Sequence, residues 1–248
     1  MQHRLVGAAS AQQLRRATPA LLLVALAWVV LMVFSASGNG AVIRHDRLLQ
    51  GGPPLWPATI LFVAGWQVML AAMMVPASMH AFARVQLGRP AALFAGGYFA
   101  IWTVFGLLVF FFDAGVHASV RSWPWLAEHP WLISGTALIS AGAYQLSDLK
   151  IRALAACRLL NHTESGACAA AKGLRHGLDC IGASGGLMLL AFALGAGNII
   201  TMCAITLLMV VEVSPWGSVV VKLAGYSVIG LGVLVMAGPI TPPVWWPS

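Results

Sequence analysis

The sequence predicts an all-α, polytopic transmembrane helix bundle of about seven spans, with the N-terminus in the cytoplasm. Of its 248 residues, 60% are hydrophobic and only 8% are charged, whereas soluble proteins carry roughly 25% charged residues. Apolar runs of membrane-spanning length recur along the chain. So few charges cannot cover the surface of a protein that is surrounded by water. In a membrane protein, a net charge of +7 is explained by basic residues in the cytoplasmic loops rather than by nucleic-acid binding.

The spans follow from the length rule that a transmembrane helix needs about 20 predominantly apolar residues. In a single transmembrane domain of residues 1–248, they cover about 17–36, 58–85, 91–112, 131–149, 181–195, 199–213 and 218–236. We interpret the first run as an uncleaved helix, because it is longer than the apolar region of a typical signal peptide. The stretch LGAGN (194–198) divides an apolar run that is too long for one helix, and six spans are the alternative.

The positive charges orient this bundle. With the N-terminus inside, the basic residues of the inner segments are Arg4, Arg15, Arg16, Arg84, Arg89, Lys150, Arg152, Arg158, Lys172 and Arg175. The outer segments carry only Arg44, Arg47 and Arg121. Since cytoplasmic loops are enriched in lysine and arginine, residues 150–179 are predicted to be a cytoplasmic loop.

The second predicted span contains the stretch MLAAMMVPASMHAF (69–82). Pro76 cannot donate a backbone hydrogen bond, so it should kink the helix and free the carbonyl of Ala72. Thioethers such as those of Met73 and Met74 select soft ions such as Cu(I); alternatively, methionine fills irregular space beside a kink. Met69 and His80 would lie roughly 16 Å apart along the axis, so any metal site needs ligands from other helices.

The predicted cytoplasmic loop supplies further soft ligands at Cys157, His162, Cys168, His176 and Cys180. In a reducing compartment these cysteines are thiols. Their spacing matches no recognised zinc pattern. Two alternatives stay open: some of these residues contact a metal, or they have no metal-binding role. His176 and Cys180 are one helical turn apart and can share a face.

Polar groups near the predicted inner helix ends allow ion pairs. Glu212, late in the sixth span, has three possible roles: a carboxylate at the membrane interface, an ion-pair partner of Lys222 or Arg175, or a metal ligand. Asp148 and Lys150 are placed to pair with each other. No glycine-rich phosphate loop, hydrolase triad or dicarboxylate set is present, which excludes an ATP-driven transporter for this chain alone. We therefore expect no enzyme activity and no catalytic residues.

Four blocks, in this order, resemble a bacterial integral-membrane family described as a predicted metal-binding membrane protein or copper chaperone: AAMMVPASMHAF, GGYFAIWTVFG, ISAGAYQLSDLK and GLRHGLDCIGASGGLMLL. The positions that match the family's motifs are Ala72, Met73, Met74, Pro76, Tyr144, Gln145, Lys150, Gly173, Gly177, Cys180, Gly182 and Glu212. Alanine or glycine replaces a family cysteine, tryptophan or methionine at several positions, namely Ala153, Ala183, Gly185 and Gly197, and Ser184 also departs from the pattern. The chain therefore resembles a diverged member.

The resemblance implies a multi-pass protein of the bacterial inner membrane that binds or relays a soft ion, copper(I), through Met, Cys and His ligands. The residues assigned as ligands are Met73, Met74, His80, Cys157, His176 and Cys180. We expect the lipid bilayer and a membrane or metallochaperone protein as partners, and no nucleic acid. Alternatively, the chain is a non-catalytic subunit or assembly factor of a larger membrane complex that has lost metal binding. A third hypothesis is a haem or quinone protein that uses His80.

Overall fold

Helices form the regular structure of the described chain. The computed structural model describes residues 2–37, 53–158, 168–193 and 199–238, and none of these residues lies in a strand. The helices are α1 Gln2–Ala36, α2 Leu55–Ala77, α3 Met79–Phe82, α4 Arg89–Ser122, α5 Pro124–Ala127, α6 Pro130–Gln145, α7 Asp148–Arg158, α8 Ala169–Ala193, α9 Ile199–Val213 and α10 Gly217–Met236. The predicted all-α fold class is confirmed. His162 and the predicted break at 194–198 lie outside the described residues.

Four of these helices are long and apolar enough to cross a membrane: Leu14–Ala36 within α1, α2, α4 and α10. The helix α9 is apolar but shorter, and α6 has only 16 residues. The chain is thus membrane-associated by length and composition, while about seven spans remains a prediction.

The helices differ from the predicted runs at two places that concern the candidate site. The predicted run 58–85 is divided at Ser78, between α2 and α3. The predicted loop 150–179 contains α7 and the first turns of α8. Helix α7 forms there because Asp148 in its first turn and Arg158 in its last turn complement the helix dipole, while Lys150, Leu154 and Cys157 form a buried stripe.

Helix α2 lies at the centre of the bundle. Within its most apolar window 61% of the residues are buried, against 22% for each of the other three long apolar helices. It packs against α1, α4 and α9. The Ala72 carbonyl, which Pro76 was predicted to free, accepts a hydrogen bond of 3.1 Å from the indole N–H of Trp28 on α1. A carbonyl in an apolar core is costly when unpaired, so Trp28 compensates for the proline.

Glycines set the closest helix crossings. At the contact of α6 with α10, a Cβ added to Gly142 would lie 2.8 Å from the carbonyl oxygen of Gly225. At the contact of α4 with α8, a Cβ on Gly173 would collide with the carbonyl of Phe94. Small residues allow membrane helices to approach this closely. The second crossing fixes how α8 presents His176 and Cys180 to α4.

Replacing Gly173 with alanine should therefore destabilise the bundle. We expect the free energy of unfolding to fall by about 1–3 kcal/mol, because the added methyl group overpacks the crossing. Gly96 is the matched control, since a Cβ added there meets nothing within 4 Å and alanine is the better helix former by about 1 kcal/mol. Denaturant unfolding in detergent measures both variants. Equal stabilities of Gly173→Ala and Gly96→Ala would contradict this account of the crossing.

Candidate metal centre

The break between α2 and α3 places a hydroxyl and an imidazole at the C-terminal end of α2. Ser78 ends α2, where its backbone N–H bonds to the carbonyl of Met74 at 3.1 Å, and its side chain is fully buried. His80 follows in the first turn of α3. The chain thus turns at Ser78, between the helix that carries Met73 and the short helix that carries His80.

Cys180 of α8 lies among hydroxyl groups from two other parts of the fold. Its Sγ is 3.3 Å from the Tyr98 hydroxyl on α4 and 3.6 Å from the Ser78 hydroxyl. The two hydroxyls are 3.2 Å apart. Only 2% of Cys180 is exposed. The sulfur therefore has oxygen hydrogen-bond partners in an otherwise apolar core.

Cys157 places a second thiol beside Cys180. It belongs to the buried stripe of α7 and is 2% exposed. The neighbouring Cys180 thiol and burial raise the pKa of Cys157. Two thiols from different helices thus meet away from water, and we refer to Cys157 and Cys180 as the thiol pair.

His80 and His176 form a pair of imidazoles next to the thiol pair. Their ring centroids are 5.9 Å apart at an interplanar angle of 82°. Nε2 of His80 is 2.9 Å from the carbonyl oxygen of Cys157. Since a carbonyl oxygen only accepts hydrogen bonds, this nitrogen carries the proton and donates it. We refer to His80 and His176 as the imidazole pair.

The ring of His176 is held between aromatic side chains. It stacks on Phe94 at 5.9 Å and on Tyr98 at 5.7 Å. His176 is 2% exposed, and among the described residues neither ring nitrogen has a hydrogen-bond partner. Burial first, and then the neighbouring His80, lower the pKa of His176 to about 4. The imidazole is therefore neutral near pH 7, which is the protonation state that binds metals.

The six predicted ligands fall into two groups. His80, Cys157, His176 and Cys180 come together from three helices, α3, α7 and α8. Met73 and Met74 are fully buried in the apolar core cluster that also contains the two cysteines. Cys168 and Cys203 are exposed free thiols.

The donors are arranged as pairs. Within the described ranges, no group of three or more His, Cys, Asp or Glu side chains is placed to hold a metal ion. A protein-bound zinc ion takes three or four protein ligands, whereas the soft ion Cu(I) favours thiolate and thioether ligands and accepts two of them.

Sequence reasoning missed Ser78 and Tyr98. Each is a buried polar residue in an apolar segment, and a polar group in such a place needs a partner. Their polar side chains within apolar segments could have identified both residues from the sequence. Ser78 follows Pro76, which kinks the helix, and Tyr98 lies in the block GGYFAIWTVFG. Neither segment alone shows that the partner is Cys180.

A buried ion pair fixes the helix that carries Cys157, and it corrects the predicted pairings. Lys150 Nζ is 2.8 Å from Glu212 Oε2, with both side chains 1% exposed, so Lys150 pairs with Glu212 and not with Asp148. Glu212 likewise pairs with Lys150 rather than with Lys222 or Arg175, the partners that the sequence suggested. Gln145 also donates a hydrogen bond to this carboxylate.

Arg158 forms a second attachment of α7 to α9. Its Nη2 donates hydrogen bonds to the carbonyls of Glu212 at 2.5 Å and Ser214 at 2.8 Å. A cation at a helix C-terminus complements the helix dipole. Arg158 and Lys150 thus attach both ends of α7 to the end of α9, with Cys157 beside the second attachment.

Comparison with known proteins places the chain in a family. No curated protein and no solved structure matches it. The family model PpoB2, described as a copper chaperone, matches residues 63–235. This range includes the thiol pair, the imidazole pair, and the four blocks on which the resemblance rests. The match supports a function related to copper and covers well over half of the chain, so the chain belongs to the PpoB2 copper chaperone family.

Proposed function

We propose that this protein binds Cu(I) as cargo between Cys157 and Cys180 and relays it by ligand exchange, without catalysing a reaction. The observation that carries the proposal is the contact of two thiols from different helices, each 2% exposed, inside the core. A buried pair of sulfur ligands favours a soft ion. Removal from water also protects bound Cu(I) from competing ligands.

The hydroxyls of Tyr98 and Ser78 support this role. Each thiol must lose its proton to bind copper, so the complex of Cu(I) with two thiolates carries one net negative charge. Hydrogen bonds from the two hydroxyls to Cys180 Sγ stabilise that charge in the apolar core. The protons leave to solvent, and copper remains Cu(I) throughout.

We further propose that the protein lies in the bacterial inner membrane with its N-terminus in the cytoplasm. The excess of arginine and lysine in the predicted inner segments supports this orientation. The thiol pair then lies at the cytoplasmic side, where a membrane protein or a metallochaperone exchanges copper with it. Met73 and Met74, buried in the same core cluster, are proposed as thioether ligands for copper deeper in the bundle.

A Cu(I) titration of the purified protein in detergent tests the proposal. In anaerobic buffer, with bicinchoninate as the competing chelator, we expect one tightly held Cu(I) per chain. A protein that retains no copper against this chelator contradicts the proposal. If the protein retains no copper and co-purifies with a stoichiometric protein partner, the result would instead support the hypothesis of a membrane subunit. The loss of family cysteines at positions such as Ala153 favours that hypothesis.

Replacing Tyr98 with phenylalanine should weaken Cu(I) binding. This variant keeps the ring that stacks on His176 but removes the hydroxyl 3.3 Å from Cys180 Sγ. Partners of metal ligands typically contribute 10–100-fold to affinity, so we expect a loss of about tenfold or more in the same titration. Tyr226→Phe is the control, because Tyr226 is 65% exposed. Equal affinities of the two variants would show that the hydroxyl does not stabilise the bound copper.

A further inference from the structure

We propose that His80 and His176 form a second, weaker Cu(I) site, through which the ion enters or leaves the thiol pair. This inference rests on the proposed function and adds a path to it. The described donors are arranged as two pairs, and no group of three is placed to share one ion. This arrangement is consistent with two neighbouring sites, one formed by the thiol pair and one by the imidazole pair, each with two ligands.

His176 supplies the first observation. It is 2% exposed, and neither of its ring nitrogens has a hydrogen-bond partner within the described part of the chain. Buried polar side chains are normally paired, and an unpaired one calls for an explanation such as a missing ion. The rings of Phe94 and Tyr98 fix the imidazole plane. A neutral imidazole has one nitrogen lone pair, which is the ligand that a metal uses.

His80 supplies the second observation. Its Nε2–H donates to the Cys157 carbonyl, so its Nδ1 keeps a free lone pair. Histidines that bind metals commonly donate their other ring N–H to a backbone carbonyl, which fixes the tautomer and the ring orientation. His80 therefore shows this arrangement before any metal binds, and its ring lies 5.9 Å from that of His176.

The path follows from the relative burial of the two pairs. His80 is partly exposed, whereas Cys157 and Cys180 are each 2% exposed. The hydrogen bond from His80 to the Cys157 carbonyl joins the two sites directly. During transfer a thiol sulfur bonds to Cu(I) and releases its proton to solvent, and a bond from copper to an imidazole nitrogen then breaks. No electron is exchanged, and the freed imidazole is again neutral.

Titration of the wild-type protein with the Cu(I) analogue Ag(I) tests for the second site. The protein, labelled with ¹⁵N at histidine, is followed by NMR in detergent. We expect the first equivalent to leave the nitrogen signals of the imidazole pair nearly unchanged, and the second to shift the signals of His80 and His176. If no histidine nitrogen shifts while silver is still bound tightly, the inference is overturned and the proposed function stands. If no tight silver or copper binding occurs, the proposed function fails.

Transfer kinetics test the path. Wild-type protein carrying one Cu(I) is mixed with excess bicinchoninate, and the coloured complex is followed by stopped flow. His80→Gln retains an N–H donor for the Cys157 carbonyl but removes the free ring nitrogen, and His176→Leu removes the second ligand. We expect transfer to slow by on the order of tenfold in each variant.

His129→Gln is the control, because His129 stacks on Trp125 and contacts Trp131 in the predicted outer loop. It should transfer copper at the wild-type rate. Wild-type rates in both His80→Gln and His176→Leu would overturn the path. The ¹⁵N titration uses only the wild-type protein, so it decides the presence of the second site even if a variant misfolds.

Discussion

Replacing Cys157 and Cys180 together with serine is expected to remove tight Cu(I) binding. Serine keeps the size and the hydrogen-bonding capacity of cysteine but supplies a hard oxygen in place of a soft sulfur. Loss of a residue that only supports a ligand costs 10–100-fold in affinity, so loss of both ligands should cost more than about 100-fold. Competition with bicinchoninate measures the change.

The chain offers a matched control for this variant. Cys168 and Cys203 are free and exposed, and replacing both with serine removes the same number of thiols. That control should retain copper with wild-type affinity. Equal losses of affinity in the two double variants would show that copper binds thiols without regard to their position, which contradicts a built site. Melting curves of both variants separate loss of binding from loss of folding.

Breaking the buried ion pair is expected to have the largest effect on stability. In Glu212→Gln, the Lys150 ammonium keeps only neutral partners at 1% exposure. Removal of one partner of a buried pair costs about 3–5 kcal/mol, because the other charge stays buried without compensation. We expect a matching fall in the free energy of unfolding in detergent. We also expect weaker Cu(I) binding, since the pair lies on the same face of α7 as Cys157.

The double variant Lys150→Met with Glu212→Gln tests whether the cost arises from the unpaired charge. Replacing both members of a buried pair with uncharged residues is often neutral, so the double variant should be more stable than Glu212→Gln alone. Lys222→Met is the control for loss of a lysine that the sequence had suggested as the partner of Glu212. If Glu212→Gln is as stable as the wild type, the ion pair does not hold α7.

The fold class could be predicted because it depends on composition. So few charges and such long apolar runs indicate helices that are long and apolar enough to cross a membrane. The bounds of α9 and α10 agree with the predicted apolar runs 199–213 and 218–236. The end of α2 at Ser78 could not be predicted from the sequence. The effect of Pro76 on the helix depends on which neighbouring residue donates a hydrogen bond to the freed carbonyl of Ala72. Here that neighbour is Trp28, 44 residues away in sequence.

The candidate site was predictable by residue type but not by arrangement. Cysteine and histidine stand out in such a sequence, and their spacing placed His176 and Cys180 on one helix face. The approach of Cys157 to Cys180 depends on the rotation of α7, which the Lys150–Glu212 pair fixes. Local spacing instead suggested that Lys150 pairs with Asp148. A long-range ion pair between α7 and α9 has no signature in one sequence.

X-ray absorption at the copper edge of the wild-type protein, loaded with one Cu(I), identifies the atoms that bind the ion. We expect Cu(I) bound by two sulfur atoms. This spectrum should persist in Cys168→Ser with Cys203→Ser and be lost in Cys157→Ser with Cys180→Ser. A copper environment that consists only of nitrogen or oxygen, or one that survives loss of the thiol pair, would contradict the proposed function.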